Sequence, residues 1–288
     1  MTAPVTTADL AAMKRRGAPI VMVTAYDHVT ARVAESAGVD AVLVGDSAAM
    51  TVLGYPSTRE IGVDELLVLT RAVRRGLVRP LLVGDLPYAS YEASDAQALG
   101  TARRFVDAGC AAVKMEGAGP IADRARALVN AGIPVMGHVG LTPQASAGPE
   151  GYRVRGATAD EVLGIRRDVD TLVDAGCFAI VFEAIPAAVA ALLVPAVPVP
   201  VIGIGAGPAA DGQVLVFHDL VGLYEGHTPR FVKRYADLRP LMVDAVARYA
   251  AETRARTFPE PVHGYRVDEA ELAAARRALD DRAPAGSR

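Results

Sequence analysis

The sequence has few of the residues that mark several common protein classes. It contains no tryptophan, two cysteines and 5% aromatic residues in 288 positions. Two cysteines cannot build the disulfide framework of a small secreted domain. Each follows an Ala-Gly pair at the start of an apolar stretch, which is typical of small buried residues. We therefore expect Cys110 and Cys177 to be core residues.

The chain also lacks an excess of charge of either sign. The net charge is −3, so no basic surface indicates binding to nucleic acid. Residues 184–210 carry no charge, yet Pro186, Pro195, Pro198 and Pro200 interrupt this stretch and argue against one membrane-spanning helix. No long apolar segment follows the first methionine. We expect a soluble cytoplasmic protein that does not enter a membrane.

A repeated pattern organises the apolar part of the sequence, which makes up 51% of the chain. Four times, a segment that ends in Ala-Gly leads into a short apolar run with a polar residue at its end. Glycine at the end of a helix favours the left-handed conformation. Continuous apolar runs between helices are typical of parallel strands with both faces buried. The four runs end at Asp46, Glu116, His138 and Glu183.

This alternation predicts an α/β fold, a single (β/α)8 TIM-type barrel over residues 1–264. The connection at 205–212 is too short for a full helix, so a doubly wound open sheet is the structural alternative. A last large helix is predicted at 238–254. We expect residues 265–288 to form an appendage, helical at 269–279 and disordered at 283–288. Strands are predicted near 20–24, 41–45, 80–84, 112–116, 134–138, 178–182, 199–204 and 213–217.

The carboxyl ends of parallel barrel strands share one rim, where active sites lie. The apolar run at 81–85 ends in Gly-Asp like the run that ends at Asp46, so the rim brings together Asp46, Asp85, Glu116, His138 and Glu183. Asp46, Asp85 and Glu116 form a set of ligands that offers only oxygen atoms, which favours magnesium over zinc. A single acid just after a strand is more often a helix N-cap, but three on one rim favour a metal site.

Other residues of the rim have two interpretations each. Lys114 and Glu116 face the same side of their strand, so the lysine must be paired or functional. His138 is either a satisfied core residue or a functional one. Glu183, at the end of an apolar strand, suits a general base, or else forms a rim salt bridge. The glycines of GIGAG at 203–207 suit phosphate binding or, more simply, close approach of the backbone to a neighbour.

Ordered motifs from about residue 24 to 263 resemble the ketopantoate hydroxymethyltransferase family. The resemblance implies a (β/α) barrel that transfers a hydroxymethyl group from methylenetetrahydrofolate to 3-methyl-2-oxobutanoate, giving 2-dehydropantoate through a magnesium-stabilised enolate. This is the first committed step of pantothenate biosynthesis. The matching motifs are TAYD at 24–27, VGDS at 44–47, TVLGY at 51–55, DLP at 85–87, VKMEG at 113–117, GHVGLTPQ at 137–144, GIGAG at 203–207 and DGQVLVFHD at 211–219.

The resemblance also implies roles for single residues. The magnesium site takes its ligands, directly or through water, from Asp46, Asp85 and Glu116. The implied base is Glu183, and members of the family assemble as decamers. Contact with the substrate is implied for Asp46, Ser47, Asp85, Lys114 and His138.

Two other functions compete with this interpretation. A magnesium-dependent lyase or mutase of the phosphoenolpyruvate/isocitrate lyase kind also acts on 2-oxo acids at a barrel rim. Such an enzyme would carry a catalytic cysteine loop, whereas both cysteines here begin their strands. A non-catalytic metabolite-binding barrel would keep the metal ligands but has no reason to keep Lys114 and Glu183.

Overall fold

Eight parallel strands form a closed barrel in the computed structural model, which describes residues 3–145, 153–226 and 228–280. Each strand pairs with the next one in the chain, and the last pairs with the first. The predicted barrel is therefore confirmed, and the open sheet is excluded. The strands are β1 (Ile20–Thr24), β2 (Ala41–Val44), β3 (Leu81–Asp85), β4 (Ala112–Lys114), β5 (Val135–Gly140), β6 (Ala179–Glu183), β7 (Val201–Ile204) and β8 (Gly212–Leu215).

Helices connect most of the strands. Helix α2 ends at Gly38, whose φ of 73° is left-handed, as the Ala-Gly pattern predicts. The helices of the first 237 residues are α1 (Thr7–Arg15), α2 (His28–Ala37), α3 (Ala48–Thr51), α4 (Val63–Gly76), α5 (Asp95–Asp107), α6 (Pro120–Asn130), α7 (Ala159–Asp174), α8 (Ala187–Leu193) and α9 (Phe217–Leu220), with 3-10 turns at Thr58–Glu60 and Val194–Ala196.

The connection from β7 to β8 contains no helix in the structure, as the short spacing predicts. Segment 48–62, by contrast, suggests a loop because it carries Gly54, Pro56 and Gly62, but it contains α3 and a 3-10 turn. The buried Ala48 and Ala49 explain this difference, because small apolar residues let a short helical turn pack against the barrel.

Two apolar layers hold the barrel together. One fills its interior, and the other lies between strands and helices. Alternation along β4 shows the division: Ala112 belongs to the interior, while Val113 and Met115 pack in the outer layer. The side chain of Lys114, two residues after Ala112, therefore points inward.

The chain divides into two compact units, with the boundary after Asp237. The sequence had placed the start of an appendage at residue 265. The second unit contains α10 (Leu238–Ala255), a 3-10 turn at Pro261–His263 and α11 (Glu269–Asp280). The disorder expected at 283–288 lies outside the described residues. No helix in the described ranges is both long and apolar enough to cross a membrane.

Candidate active site

Charged side chains replace the apolar interior at the carboxyl end of the barrel. Val83, Met136 and Val181 are buried in the interior layer. Two residues further along their strands come Asp85, His138 and Glu183. Since side chains of a strand alternate between faces, these three residues point into the barrel just above its apolar core. The convergence expected from the repeated pattern is therefore present.

Lys114 lies within this charged layer and is buried. Its ammonium donates to Asp85 Oδ1 at 2.7 Å and lies 3.4 Å from Glu116 Oε1. Burial lowers the pKa of Lys114, but the charges of Asp85 and Glu116 more than offset it, and the net pKa is raised. The sequence requires Lys114 to be paired or functional, and the structure shows that it is paired. The ion pairs with Asp85 and Glu116 favour its charged form.

Asp46 lies just beyond β2 and is 5% exposed. Its backbone N–H donates to Asp85 Oδ2 at 3.3 Å, so the two acids meet across neighbouring strands. Burial raises the pKa of Asp46 well above its usual value, and the charges of Asp85 and Glu116 raise it further. The carboxylate therefore lies in a field that favours either a proton or an added cation.

Asp46, Asp85 and Glu116 do not act as helix N-caps. The N-cap residues of the helices that follow β2, β3 and β4 are Ser47, Ser94 and Gly119. Glu116 instead lies 3.3 Å from His138 Nδ1 and accepts a hydrogen bond from the Gln144 backbone. Burial would raise the pKa of Glu116, yet the charges of Lys114 and His138 lower it to about 2.

Gln144 and Tyr91 belong to the same cluster and were not singled out from the sequence. The amide of Gln144 donates to Asp46 Oδ2 at 2.9 Å and to the Leu86 carbonyl at 3.1 Å. The Tyr91 hydroxyl donates to Gln144 Oε1 at 2.7 Å and accepts from the Glu116 backbone N–H at 3.2 Å. The hydroxyl thereby turns the amide so that its NH2 group faces Asp46. Gln144 is the last residue of the motif GHVGLTPQ at 137–144, and this motif is the sequence signal that marks it.

His138 connects the acid cluster to Glu183. Its Nδ1 faces Glu116, and its Nε2 lies 3.2 Å from Glu183 Oε2. Neither contact has the angle of a hydrogen bond, so charge rather than a directed bond dominates. Burial lowers the pKa of His138, but the contacts with Glu116 and Glu183 together outweigh it and raise the pKa to about 9. The surrounding carboxylates therefore favour the protonated form of the imidazole.

Ser47 stands beside this cluster on the loop after β2. Its hydroxyl lies 2.7 Å from the hydroxyl of the buried Tyr26, and either group can donate. Burial raises the pKa of Tyr26, so the phenol stays neutral. Tyr26 therefore fixes the side chain of Ser47.

The predicted residues line one cavity of about 570 Å³. Its wall includes Asp46, Ser47, Asp85, Lys114, Glu116, His138 and Glu183. Cys110 and Cys177 are buried at the start of β4 and β6, at the opposite end of the barrel. Burial raises the pKa of each thiol to about 12. Their prediction as core residues is confirmed.

The chemistry of the cluster fits a hard divalent cation. Four carboxyl groups, those of Asp46, Asp85, Glu116 and Glu183, line the cavity with only two basic side chains of the cluster, Lys114 and His138. In the parts of the chain that the structure describes, no three acid, histidine or cysteine side chains are already arranged as a metal-binding group.

Comparison with known proteins defines the family. The model of the ketopantoate hydroxymethyltransferase family matches residues 4–261. The chain belongs to this family. A 3-methyl-2-oxobutanoate hydroxymethyltransferase from Acidothermus cellulolyticus is 52% identical over 91% of this chain and 96% of its own length. Another, from Nitratidesulfovibrio vulgaris, is 48% identical over 97% of this chain and 91% of its own.

Solved structures with the same fold are more distant in sequence. Phosphonopyruvate hydrolase in complex with oxalate and Mg²⁺ superposes with a TM-score of 0.60 at 15% identity, covering 96% of this chain and 99% of its own. A 2,3-dimethylmalate lyase of the PEP mutase/isocitrate lyase superfamily gives 0.56 at 16% identity, covering 99% and 100%. At these identities the comparison shows that the ketopantoate hydroxymethyltransferase family shares their barrel.

Proposed function

We propose that this protein transfers the hydroxymethyl group of methylenetetrahydrofolate to 3-methyl-2-oxobutanoate and forms 2-dehydropantoate, the entry to pantothenate synthesis. Membership of the ketopantoate hydroxymethyltransferase family supports the reaction. The observation that carries the mechanism is the contact of Glu183 with His138 on the wall of the cavity that also holds the acid cluster.

The reaction makes one carbon–carbon bond. C3 of the oxo acid loses a proton, and its electron pair attacks the methylene carbon of the donor. The two carbon–nitrogen bonds of that methylene group break, and water supplies the new hydroxyl group. The proton from C3 and the protons of water account for the two N–H bonds of tetrahydrofolate and the product O–H.

Glu183 is the group that takes the C3 proton. It is the less buried member of its pair, with 15% of its side chain exposed to the cavity. The surrounding carboxylates favour the protonated form of His138, so it orients the carboxylate of Glu183 instead of competing for the proton. A positioned base contributes roughly 10²–10⁴ to the rate.

Lys114 supplies fixed positive charge where the carbonyl oxygen becomes negative. Asp85 and Glu116 hold its ammonium in the charged layer, so little reorganisation is needed during the reaction. Ser47, held by Tyr26, is placed to donate to the substrate carboxylate. Asp46, Asp85 and Glu116 would hold magnesium, directly or through water, and the ion would supply Lewis-acid polarisation of the carbonyl.

The lyase or mutase alternative shares the barrel but lacks support from the site. Its expected catalytic cysteine loop has no counterpart here, because both cysteines lie buried at the amino ends of their strands. The decamer and the cytoplasmic location remain predictions, and sedimentation velocity tests the first of them.

Exchange at C3 tests the proposed base directly. Protein, magnesium and 3-methyl-2-oxobutanoate are mixed in D2O without donor, and loss of the C3 proton is followed by NMR. We expect Glu183→Gln to slow the exchange about 100-fold or more. The control is Glu269→Gln, because Glu269 is exposed on α11. Exchange by Glu183→Gln at the rate of the unsubstituted protein would refute the assignment.

A further inference from the structure

The cavity wall opposite the acid cluster has no role in activating the oxo acid. In a closed ring of eight strands, β8 lies four strands from β4 in both directions, so the two face each other. Asp85 and Lys114 end β3 and β4, and Asp46 and Glu116 lie just after β2 and β4. The opposite wall comes from the segments after β7 and β8, and includes Asp219, Tyr224, Arg230 and Phe231.

The size of the cavity indicates a second, larger ligand. Cavities of about 300–1,000 Å³ enclose molecules of several rings. A branched oxo acid of five carbons fills a small part of 570 Å³. Away from the acid cluster, the cavity extends along residues of β7, β8 and the segments that follow them.

One carboxylate oxygen of Asp219 has no hydrogen bond within the described part of the chain. The residue lies in α9, just after β8, and is about half-buried. Its Oδ1 is inaccessible to water and has no hydrogen-bond partner among residues 3–145, 153–226 and 228–280. Burial raises the pKa of Asp219, and the charge of Arg234 opposes this. Buried carboxylates are normally hydrogen-bonded, so this group indicates a missing donor of hydrogen bonds.

Phe231 provides a flat apolar surface on the same wall. Its ring rests on the backbone of Gly205, which has a φ of 67°; a Cβ at that position would lie 2.5 Å from the ring. This explains part of the GIGAG motif as close approach to a neighbour, which the sequence favoured over phosphate binding. The phenylalanine is only partly buried, so one side of it faces the cavity, and the adjacent Arg230 is exposed.

We propose that Asp219, Phe231 and Arg230 bind the folate donor, a subsite that rests on the proposed function. The amino group at position 2 of the pterin and the neighbouring N3–H are two parallel donors, which match the two oxygens of one carboxylate. The bicyclic ring packs on Phe231. The exposed guanidinium of Arg230 pairs with a carboxylate of the glutamate tail. The methylene carbon then approaches C3 from the side opposite Lys114.

Steady-state kinetics with each substrate varied in turn test the subsite. We expect Asp219→Asn to raise KM for methylenetetrahydrofolate about tenfold or more, since a neutral amide cannot accept both hydrogen bonds. KM for the oxo acid and the donor-free exchange at C3 should stay within about twofold, because Asp219 lies in α9 after β8 whereas Glu183 ends β6. The matched control is Asp107→Asn, at an exposed position at the end of α5.

A second variant keeps the proposal falsifiable if Asp219→Asn does not fold. Calorimetry compares tetrahydrofolate with tetrahydropteroate, which lacks the glutamate. Arg230→Gln should weaken binding of tetrahydrofolate and leave tetrahydropteroate unchanged. An unchanged donor KM in Asp219→Asn, or equal loss of C3 exchange, would overturn the subsite. Absence of both exchange and product in the unsubstituted protein would instead overturn the proposed function.

Discussion

Replacing Gln144 by methionine removes the connection between Asp46 and its neighbours while nearly keeping the side-chain shape. Three side-chain hydrogen bonds are lost: to Asp46 Oδ2 at 2.9 Å, to the Leu86 carbonyl at 3.1 Å and from Tyr91 at 2.7 Å. A hydrogen bond to a charged group contributes about 1.5–3 kcal/mol and a neutral one about 0.5–1.5 kcal/mol. Since methionine also adds apolar burial, we expect a net loss of about 3 kcal/mol in the free energy of unfolding.

Urea unfolding followed by circular dichroism measures this loss. Isothermal calorimetry with magnesium gives a second readout, because the loss of a group that orients a metal ligand typically weakens binding about 10–100-fold. The control Gln213→Met loses one hydrogen bond, to the Gly207 carbonyl, at an exposed position and should cost about 1 kcal/mol or less. If Gln144→Met matched this control in both measurements, the amide would not position Asp46.

Three further outcomes follow from the structure. Lys114→Met leaves Asp85 without its buried partner, so metal-free protein should lose about 3–5 kcal/mol in urea unfolding, and added magnesium should restore part of it. Cys110 and Cys177, with thiol pKa values raised to about 12, should react with iodoacetamide at pH 8 about 10³ times more slowly than an ordinary thiol, as mass spectrometry can show. Gly205→Ala, strained at a φ of 67° and too close to a phenylalanine ring, should lower Tm by several degrees.

Each of these outcomes can fail independently. A Lys114→Met protein as stable as the parent without metal would mean that the acid cluster needs no internal cation. Rapid labelling of native protein would mean that the cysteines are reachable from solvent. For the glycine, Gly100→Ala is the matched control, because it lies in α5 with open space around it and alanine favours the helix. An equal Tm for Gly205→Ala and Gly100→Ala would mean that the ring of Phe231 does not restrict residue 205.

The barrel and most of its charged layer are predictable because they depend on periodicity. A run of apolar residues after each Ala-Gly predicts a strand. Because side chains alternate along a strand, their spacing predicts which ones point into the barrel. Asp85, Lys114, His138 and Glu183 share the interior face for this reason. The acids lie at the ends of those runs, and they indicate that the active site is at the carboxyl-terminal rim of the barrel.

Residues on irregular segments are not predictable in this way. Tyr91 and Gln144 lie outside helices and strands, and their contact joins positions 53 residues apart. Their path depends on which buried groups need partners after the barrel has closed, and no local spacing encodes this. The same holds for Phe231, whose place against Gly205 depends on the path of the segment after α9.

Formation of product from a labelled donor tests the central claim most directly. The protein is incubated with magnesium, 3-methyl-2-oxobutanoate and methylenetetrahydrofolate that carries ¹³C in its methylene group, and the products are analysed by mass spectrometry. We expect 2-dehydropantoate that contains one ¹³C atom, and no such product with Glu183→Gln. Oxo acid that remains unchanged, or is cleaved without taking up the label, would contradict hydroxymethyl transfer.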